Sequence, residues 1–162
     1  MKIAIRELPV IAYPFCCELV ARLSDLDFAR HVNNASIAAF HEEVRVRFHI
    51  HYFGEDGVFN RRQGGGVVAH VSIEYLREIE YGRPIIGCAG VASVGNSSYT
   101  VAHALFQSGQ CVSEATCVIA VRDSGRANPL DDAFRERLRP LIVPFAGIVH
   151  FEVDQFTPLL DR

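Results

Sequence analysis

The most restrictive feature of the sequence is one change of hydrophobic period, from a helical repeat to strict alternation. After Ala35, apolar side chains recur three and four residues apart, at Ile37, Phe40, Val44 and Phe48. This spacing predicts one amphipathic helix. A chain with a single long helix must cover its apolar stripe with another kind of element, so a helix bundle is excluded.

The predicted helix has recognisable ends. Asn33 or Asn34 is the expected N-cap, because asparagine side chains accept hydrogen bonds from the first free amides of a helix. Gly54 and Gly57 predict that the helix ends before residue 54. The following glycine-rich stretch, residues 54–66, is interpreted as a mobile connector or, alternatively, as a flap on the substrate side.

The rest of the chain alternates with the period of two that strands require. One strand is predicted before the helix, and the others follow it, at Phe15–Leu23, Val67–Tyr75, Pro84–Val94, Tyr99–Gln107 and Cys111–Val121. In the strand that follows the helix, one face is expected to be buried and the other partly polar. The order predicts an α+β fold in which the helix packs across one face of an antiparallel sheet.

The length of 162 residues favours a single domain, with a core over about 15–138 and a C-terminal tail over about 140–162. Pro129–Leu138 is predicted as a short surface helix with Pro129 at its start. Ile148–Val153 is a candidate edge strand.

Composition excludes several classes of function. Hydrophobic residues make up 49% and charged residues 22%, which is ordinary for a globular protein. A formal charge of −3 gives no field for nucleic acid. No window approaches the roughly 20 apolar residues needed to span a bilayer, and the first residues lack the apolar core of a signal peptide. We expect a cytoplasmic protein with neither a nucleic-acid nor a membrane partner.

Five cysteines occur, at positions 16, 17, 88, 111 and 117, without a Cys-x-x-Cys pair. This odd, unpaired set indicates neither a zinc knuckle nor a disulfide framework. Buried free thiols are therefore expected.

The side chains that could take part in a reaction are concentrated just before the helix. Within Asp25–Asn34 lie two aspartates, one histidine and two asparagines, followed by a helix whose first amides lack intrahelical partners. The dipole at a helix N-terminus favours negative charge developing on a carbonyl oxygen. Asp27 or His31 can act on that carbonyl carbon directly or through water.

This stretch resembles the signature of the hotdog-fold thioesterases of the 4-hydroxybenzoyl-CoA thioesterase-like family. Asp25-Leu26-Asp27 and His31-Val32-Asn33-Asn34-Ala35 match it, while Arg30 and Ile37 stand where the family has glycine and tyrosine. The resemblance implies a hotdog fold, in which an antiparallel sheet wraps around one long central helix. It also implies self-association as a dimer or tetramer.

The same resemblance assigns roles to individual residues. It implies that Asp27 is the nucleophile or general base, and that the backbone N–H of Asn34 polarises the thioester carbonyl. His31 is expected to orient water or the carbonyl. Because another hotdog branch uses a helix carboxylate, Glu42 and Glu43 are reserve catalytic candidates, although their spacing from Arg45 and Arg47 also predicts ordinary ion pairs on the helix surface.

Arginines near the strand ends are candidates for binding the phosphates of coenzyme A, because guanidinium groups match phosphate geometry. Arg77 and Arg83 are the foremost of these. No metal or cofactor is expected, since His41-Glu42 is not followed by a histidine at the spacing of a helical zinc site.

The sequence therefore predicts a thioesterase that hydrolyses an acyl-CoA or an acyl-carrier-protein thioester. A hotdog dehydratase or hydratase is the alternative enzyme, but its characteristic spacing of aspartate and histidine is not found. The alternative without catalysis is a binding or regulatory domain for acyl thioesters.

Overall fold

A single long helix, α1 (Asn34–Phe59), crosses one face of a five-stranded sheet. The computed structural model describes residues 4–59, 66–123 and 126–144. The sheet contains β1 (Phe15–Leu19), β2 (Val67–Tyr75), β3 (Ile85–Val94), β4 (Ser98–Gln107) and β5 (Gln110–Ala120). A two-stranded ribbon, β6 (Arg122–Asp123) and β7 (Arg126–Ala127), and a short helix, α2 (Asp132–Leu138), follow.

The strand order is β1-β3-β4-β5-β2, and every pair is antiparallel. Ser108 and Gly109 join β4 to β5 with φ angles of 52° and 77°, as a tight hairpin turn requires. This arrangement confirms the predicted α+β class and the hotdog architecture that the resemblance implied. No helix among the described residues combines the length and hydropathy needed to cross a membrane.

Asn33 is the N-cap of α1. Its side-chain oxygen accepts a hydrogen bond from the Ser36 amide at 2.8 Å, and its carbonyl accepts one from Ile37 at 3.0 Å. At the other end, Gly54 interrupts α1 with φ 77° and ψ 171°, where the sequence predicted the end of the helix. The chain returns to helical geometry beyond it and α1 continues to Phe59, so the expected connector is wrong for residues 55–59. Residues 60–65 lie outside the described residues, and the choice between a connector and a flap is not tested there.

The sheet has two apolar faces, and each is covered by a different segment. Ile37, Val44 and Phe48 of α1 pack on the inner face. Ile5, Leu8, Tyr13 and Val143 cover the outer face, together with small residues of β3 and β4. No sequence pattern predicted this second core, because the covering residues lie in short segments without a recognisable period.

Gly90 on β3 makes room for the C-terminal part of that cover. A Cβ at this position would stand 2.5 Å from Cγ1 of Val143 and 3.3 Å from the carbonyl oxygen of Leu141. Val143 donates its amide to the Val91 carbonyl at 2.9 Å. The chain after α2 is therefore fixed to the sheet at least as far as residue 143.

The prediction that one face of β2 is buried is wrong for the isolated chain. None of its residues is buried, and Val71 and Tyr75 are 48% and 47% exposed. The physical reason is position: β2 is an edge strand, and a shift of register between Val68 and His70 bends it.

The prediction of five free thiols is also wrong. Cys16 of β1 and Cys88 of β3 form a disulfide. They are direct partners in the antiparallel register, with Cα atoms 4.1 Å apart, and strand register cannot be read from cysteine spacing. Cys17, Cys111 and Cys117 are free.

Two further boundaries differ from the prediction by more than one residue. β1 ends at Leu19 rather than at residue 23. The short helix α2 starts at Asp132, because the Asp131 side chain accepts the Phe134 amide at 2.7 Å and caps the helix in place of Pro129. The proposed edge strand at 148–153 lies outside the described residues, and one domain over 1–162 stays a prediction.

Candidate functional site

Asp25 ties the loop that precedes α1 to the start of the helix. Its carboxylate accepts hydrogen bonds from the Arg22 amide at 2.6 Å and from the Ser36 hydroxyl at 3.1 Å. Its carbonyl accepts both the backbone and the side-chain N–H of Asn33 at 2.8 Å. With its oxygens occupied in this way, Asp25 has a structural role.

Asp27 occupies the exposed tip of the same loop. One carboxylate oxygen, Oδ1, accepts the amides of Ala29 at 2.8 Å and His31 at 3.2 Å. The other oxygen, Oδ2, has no hydrogen-bond partner in the described part of the chain. The two backbone bonds fix the orientation of the carboxylate and leave Oδ2 available to a substrate or to water.

Arg30 shows why the resembling family has glycine here. Its φ angle is 66°, in the left-handed region that costs a residue with a Cβ about 1–2 kcal/mol. Its amide donates to the Asp27 carbonyl at 3.0 Å and closes the turn. The loop therefore keeps its turn geometry with arginine, at the expense of backbone strain.

The first turn of α1 presents amides with no acceptor. Asn33 caps the Ser36 amide, but the amides of Asn34 and Ala35 have no hydrogen-bond acceptor among the described residues. We call this pair the open amides. They lie where the helix dipole is most favourable to an anion.

His31 is held against the segment that follows β2. Its backbone forms a bridge with Glu80, and the neighbouring Val32 amide donates to the Ile79 carbonyl at 3.2 Å. The imidazole Nε2 lies 3.3 Å from a carboxylate oxygen of Glu78. The backbone of His31, rather than its ring, thus contacts Asp27.

A cavity of about 410 Å³ lies between α1 and the strands β2, β4 and β5. We call it the helix–sheet cavity. Ala35, Ala38 and Ala39 form its wall on α1, opposite Val71 and Ile73 of β2. The cavity exists because the α1 face toward β2 carries alanines, whose short side chains leave the space unfilled. Ala35, which has one of the open amides, is part of the cavity wall.

Two buried histidines, His41 of α1 and His103 of β4, also line the cavity. Their ring centroids are 5.9 Å apart. Burial lowers the pKa of His41 to about 4. It also lowers the pKa of His103 well below its ordinary value, with further lowering from His41, Arg45 and His49. Both rings are therefore neutral near pH 7.

His49, about two turns further along α1 than His41, is a third buried histidine with a different environment. Its Nδ1 lies 2.6 Å from the Arg45 carbonyl, and its Nε2 lies 2.8 Å from the Tyr99 hydroxyl. Its pKa is lowered to about 4, mainly by burial. Because both ring nitrogens have partners, His49 is a structural histidine.

Glu42 and Glu43, the reserve catalytic candidates, lie in different surroundings. Glu42 lines the helix–sheet cavity and pairs with Arg45 at 3.2 Å. Glu43 pairs with Arg47 at 2.7 Å and is not part of the cavity wall. Both ion pairs have the spacing that the sequence predicted.

The two arginines expected to bind phosphate differ in whether their guanidinium groups already have partners. Arg83 lies 3.1 Å from Glu80 and donates to the Ser108 hydroxyl at 3.3 Å. Arg77 is exposed, and its guanidinium has no ion-pair partner among the residues described.

Sequence reasoning missed the cavity and its histidines. His103 interrupts an otherwise apolar register with Val101 and Leu105 on the inner face of β4. That interruption was the available signal, but only the packed structure brings His103 next to His41. Among the described residues, no group of three or more histidine, cysteine or acidic side chains is arranged to hold a metal.

The chain is similar to a known protein family and to several solved structures. The model of the thioesterase-like superfamily matches residues 21–138. No curated protein matches the chain significantly. Among solved structures, a thioesterase from Thermus thermophilus, determined with coenzyme A and zinc, is 30% identical. The match covers 80% of this chain and 95% of that one, with a TM-score of 0.72.

Two further structures support the fold alone. A predicted thioesterase from Bacillus stearothermophilus is 24% identical, with 82% of this chain and 98% of that one covered and a TM-score of 0.72. A probable thioesterase from Escherichia coli is 21% identical, with 78% and 98% covered and a TM-score of 0.64.

Proposed function

The chain belongs to the thioesterase-like superfamily of hotdog-fold thioester hydrolases, and from that premise we propose that its substrate is an acyl-CoA or an acyl-carrier-protein thioester. The products are the free acid and the thiol. One observation carries the proposal: Ala35, which has one of the two open amides, lines the helix–sheet cavity at the start of α1, directly after the loop that fixes Asp27.

The open amides receive the thioester oxygen. As the tetrahedral intermediate forms, that oxygen becomes an anion, and the two N–H groups together with the helix dipole stabilise it. The acyl group extends from this point into the helix–sheet cavity. Its apolar walls of alanine and valine favour the burial of hydrocarbon.

Asp27 acts on the carbonyl carbon in one of two ways. As a nucleophile, its carboxylate forms an anhydride with the acyl group and the thiolate leaves, after which water hydrolyses the anhydride. As a general base, it removes a proton from the attacking water, and the thiolate then takes up a proton on leaving. His31, bonded to Asp27 through its backbone amide, helps to position the water or the carbonyl.

Arg77 is the better candidate to bind a phosphate of coenzyme A, because Arg83 already pairs with Glu80. Arg77→Gln should raise KM for CoA thioesters and leave kcat unchanged, since the phosphates are bound equally in the ground and transition states. Pantetheine thioesters, which lack the nucleotide, provide the control substrate. An unchanged KM for CoA thioesters would exclude Arg77 from phosphate binding.

Self-association through β2 is part of the proposal. Val67, Val68, Val71 and Tyr75 leave this edge strand with a row of half-exposed apolar side chains, and an unpaired apolar edge is stabilised by pairing with another copy. Light scattering of the purified protein, with Val71→Lys for comparison, distinguishes a dimer or tetramer from a monomer.

The decisive experiment measures thiol release from short, long and aromatic acyl-CoAs by wild type and Asp27→Asn. Asparagine retains an oxygen for the amides of Ala29 and His31, so the loop is preserved while the charge is lost. We expect kcat to fall by about 10²–10⁴. Asp131→Asn, which keeps the cap of α2, is the matched control and should behave as wild type. Wild-type turnover by Asp27→Asn would refute the assigned role.

The alternative is a domain that binds acyl thioesters without hydrolysing them. Calorimetry with the same panel separates the two functions. Tight binding without thiol release, from CoA and carrier-protein thioesters alike, would replace the hydrolase proposal with this one.

A further inference from the structure

The helix–sheet cavity contains polar groups that a hydrocarbon chain cannot satisfy. Among the described residues, both ring nitrogens of His103 and Nδ1 of His41 are buried without a hydrogen-bond partner. A buried polar group left in this state is destabilising, because it has lost its hydrogen bonds to water without gaining others. Buried polar groups in native proteins nearly always have a hydrogen-bond partner, and here two side chains with unpaired nitrogens line the same cavity, one from α1 and one from β4.

The hydrogen-bond network fixes the tautomer of His41. The Ser113 hydroxyl donates its one proton to the Glu74 carbonyl at 2.8 Å. It must therefore accept from His41 Nε2, which lies 2.9 Å away. A neutral imidazole carries one proton only, so Nδ1 of His41 is a bare acceptor that requires a donor.

His103 supplies the complementary group. As a neutral ring it has one N–H donor and one acceptor, and neither is used by the described residues. With the two rings 5.9 Å apart between centroids, one small group can contact both. A group that donates to His41 Nδ1 and accepts from the His103 N–H satisfies the pair.

Among the oxygen groups that an acyl chain can carry, a hydroxyl both donates and accepts. A ketone or an ether only accepts, and would leave His41 Nδ1 unsatisfied. A carboxylate would require a positively charged ring, whereas burial keeps both histidines neutral. The cation in the cavity wall, Arg45, already pairs with Glu42.

The position of the pair indicates where the hydroxyl sits on the acyl group. Six residues separate Ala35 from His41, which corresponds to about 9 Å along a helix axis. The thioester carbonyl is placed at the start of α1, so the hydroxyl must lie toward the far end of a medium-length acyl chain rather than beside the carbonyl.

We propose that the preferred substrate is a thioester whose acyl group carries a hydroxyl toward its distal end, which donates to His41 Nδ1 and accepts from the His103 N–H. This inference rests on the proposed function and names the substrate class of that same site. His41 and His103 are then specificity-determining residues, while Asp27 and the open amides perform the hydrolysis.

The test compares hexanoyl, octanoyl and decanoyl thioesters of CoA with their (ω−1)-hydroxy and (ω−1)-oxo counterparts. For the chain length that fits, we expect kcat/KM of the hydroxy compound to exceed that of both others by at least about tenfold, because the analogues leave buried polar groups unpaired. Equal rates for the three members at every chain length would overturn the inference.

His103→Leu and the matched control His49→Leu separate recognition from stability. In His103→Leu the preference for the hydroxy compound should fall below about threefold, and the protein should melt at a higher temperature because an unsatisfied polar group is removed. His49→Leu should melt at a lower temperature, since Tyr99 loses its partner, and should retain the preference. An undiminished preference in His103→Leu would also overturn the inference.

A binding measurement keeps the inference independent of catalysis. The corresponding S-alkyl-CoA thioethers cannot be hydrolysed, and calorimetry gives their dissociation constants directly. Tighter binding of the hydroxyalkyl thioether, lost in His103→Leu, would support the inference even if no thioester were hydrolysed and the proposed function failed. Equal binding of the hydroxyalkyl and plain alkyl thioethers would refute it.

Discussion

The side-chain amide of Asn33 donates to the carbonyl of Asp25 at 2.8 Å, so one residue joins the loop that carries Asp27 to α1. The same side chain accepts the Ser36 amide with its oxygen. Asn33 therefore caps α1 and also holds the loop against it, and mutation can separate these two roles.

Asn33→Ser should retain the cap and lose the side-chain hydrogen bond to Asp25, because a serine hydroxyl accepts from the first turn equally well but does not reach Asp25 as an amide does. The backbone N–H of residue 33 still donates to the Asp25 carbonyl. We expect a loss of about 1 kcal/mol in the free energy of unfolding and a larger effect on kcat, roughly tenfold or more, as the Asp27 loop shifts. Urea unfolding and thiol release measure the two effects. Wild-type stability and kcat in Asn33→Ser, with both lowered in Asn33→Ala, would show that only the cap matters.

Arg30→Gly should stabilise the protein. Glycine adopts the φ of 66° without the penalty of a Cβ, and part of this gain is offset by the greater freedom of the unfolded chain. The net expectation is roughly 0.5–1 kcal/mol more stability by urea unfolding. Ala29→Gly, next to it but without positive φ, is the control and should destabilise. A decrease in stability for Arg30→Gly would mean that the arginine side chain makes a larger contribution than the strain.

Stability should decrease as the pH falls from 6.5 toward 4. Burial lowers the pKa of His41 and His49 to about 4 from 6.5, so across this window the unfolded chain binds protons that the folded chain does not. Each histidine contributes stability that is present above pH 6.5 and lost as the pH falls through 4, on the order of 3 kcal/mol.

Urea unfolding at pH 7, 6 and 5 measures that slope. The range stops at pH 5 because the pKa of Glu114 is raised, chiefly by burial. Protonation of Glu114 at lower pH would therefore stabilise the folded protein and oppose the effect of the histidines. His103→Leu removes one buried histidine whose pKa is lowered and should flatten the dependence. A pH-independent free energy of unfolding would contradict the assigned burial.

The disulfide between Cys16 and Cys88 predicts a definite labelling pattern. Unfolded without reductant, the protein should take up iodoacetamide at three cysteines, and at all five after reduction. Because the bond closes a long loop, reduction should also cost about 2–4 kcal/mol of stability. Labelling of five cysteines without reductant, in protein purified under oxidising conditions, would show that the pair remains reduced.

Much of the fold could be predicted from the sequence, because helices, strands and turns depend on the residues close to them in the chain. The stripe from Ile37 to Phe48 required a helix, and the alternation from Val67 onward required strands. The hairpin at Ser108-Gly109 and the cap near Asn33 follow from the chemistry of single residues. Likewise, the loop of Asp25 and Asp27 could be recognised before any contact was known.

Only the tertiary structure decided the contacts between segments that are distant in the sequence. Strand register put Cys16 against Cys88, and sheet position left β2 exposed at the edge. The packing of α1 over β4 brought His41 beside His103 and left a cavity above alanines. Local periods depend on neighbours in the chain, so the sequence determined the elements. The substrate-sized space depends on how separate elements meet, which no single stretch of the chain specifies.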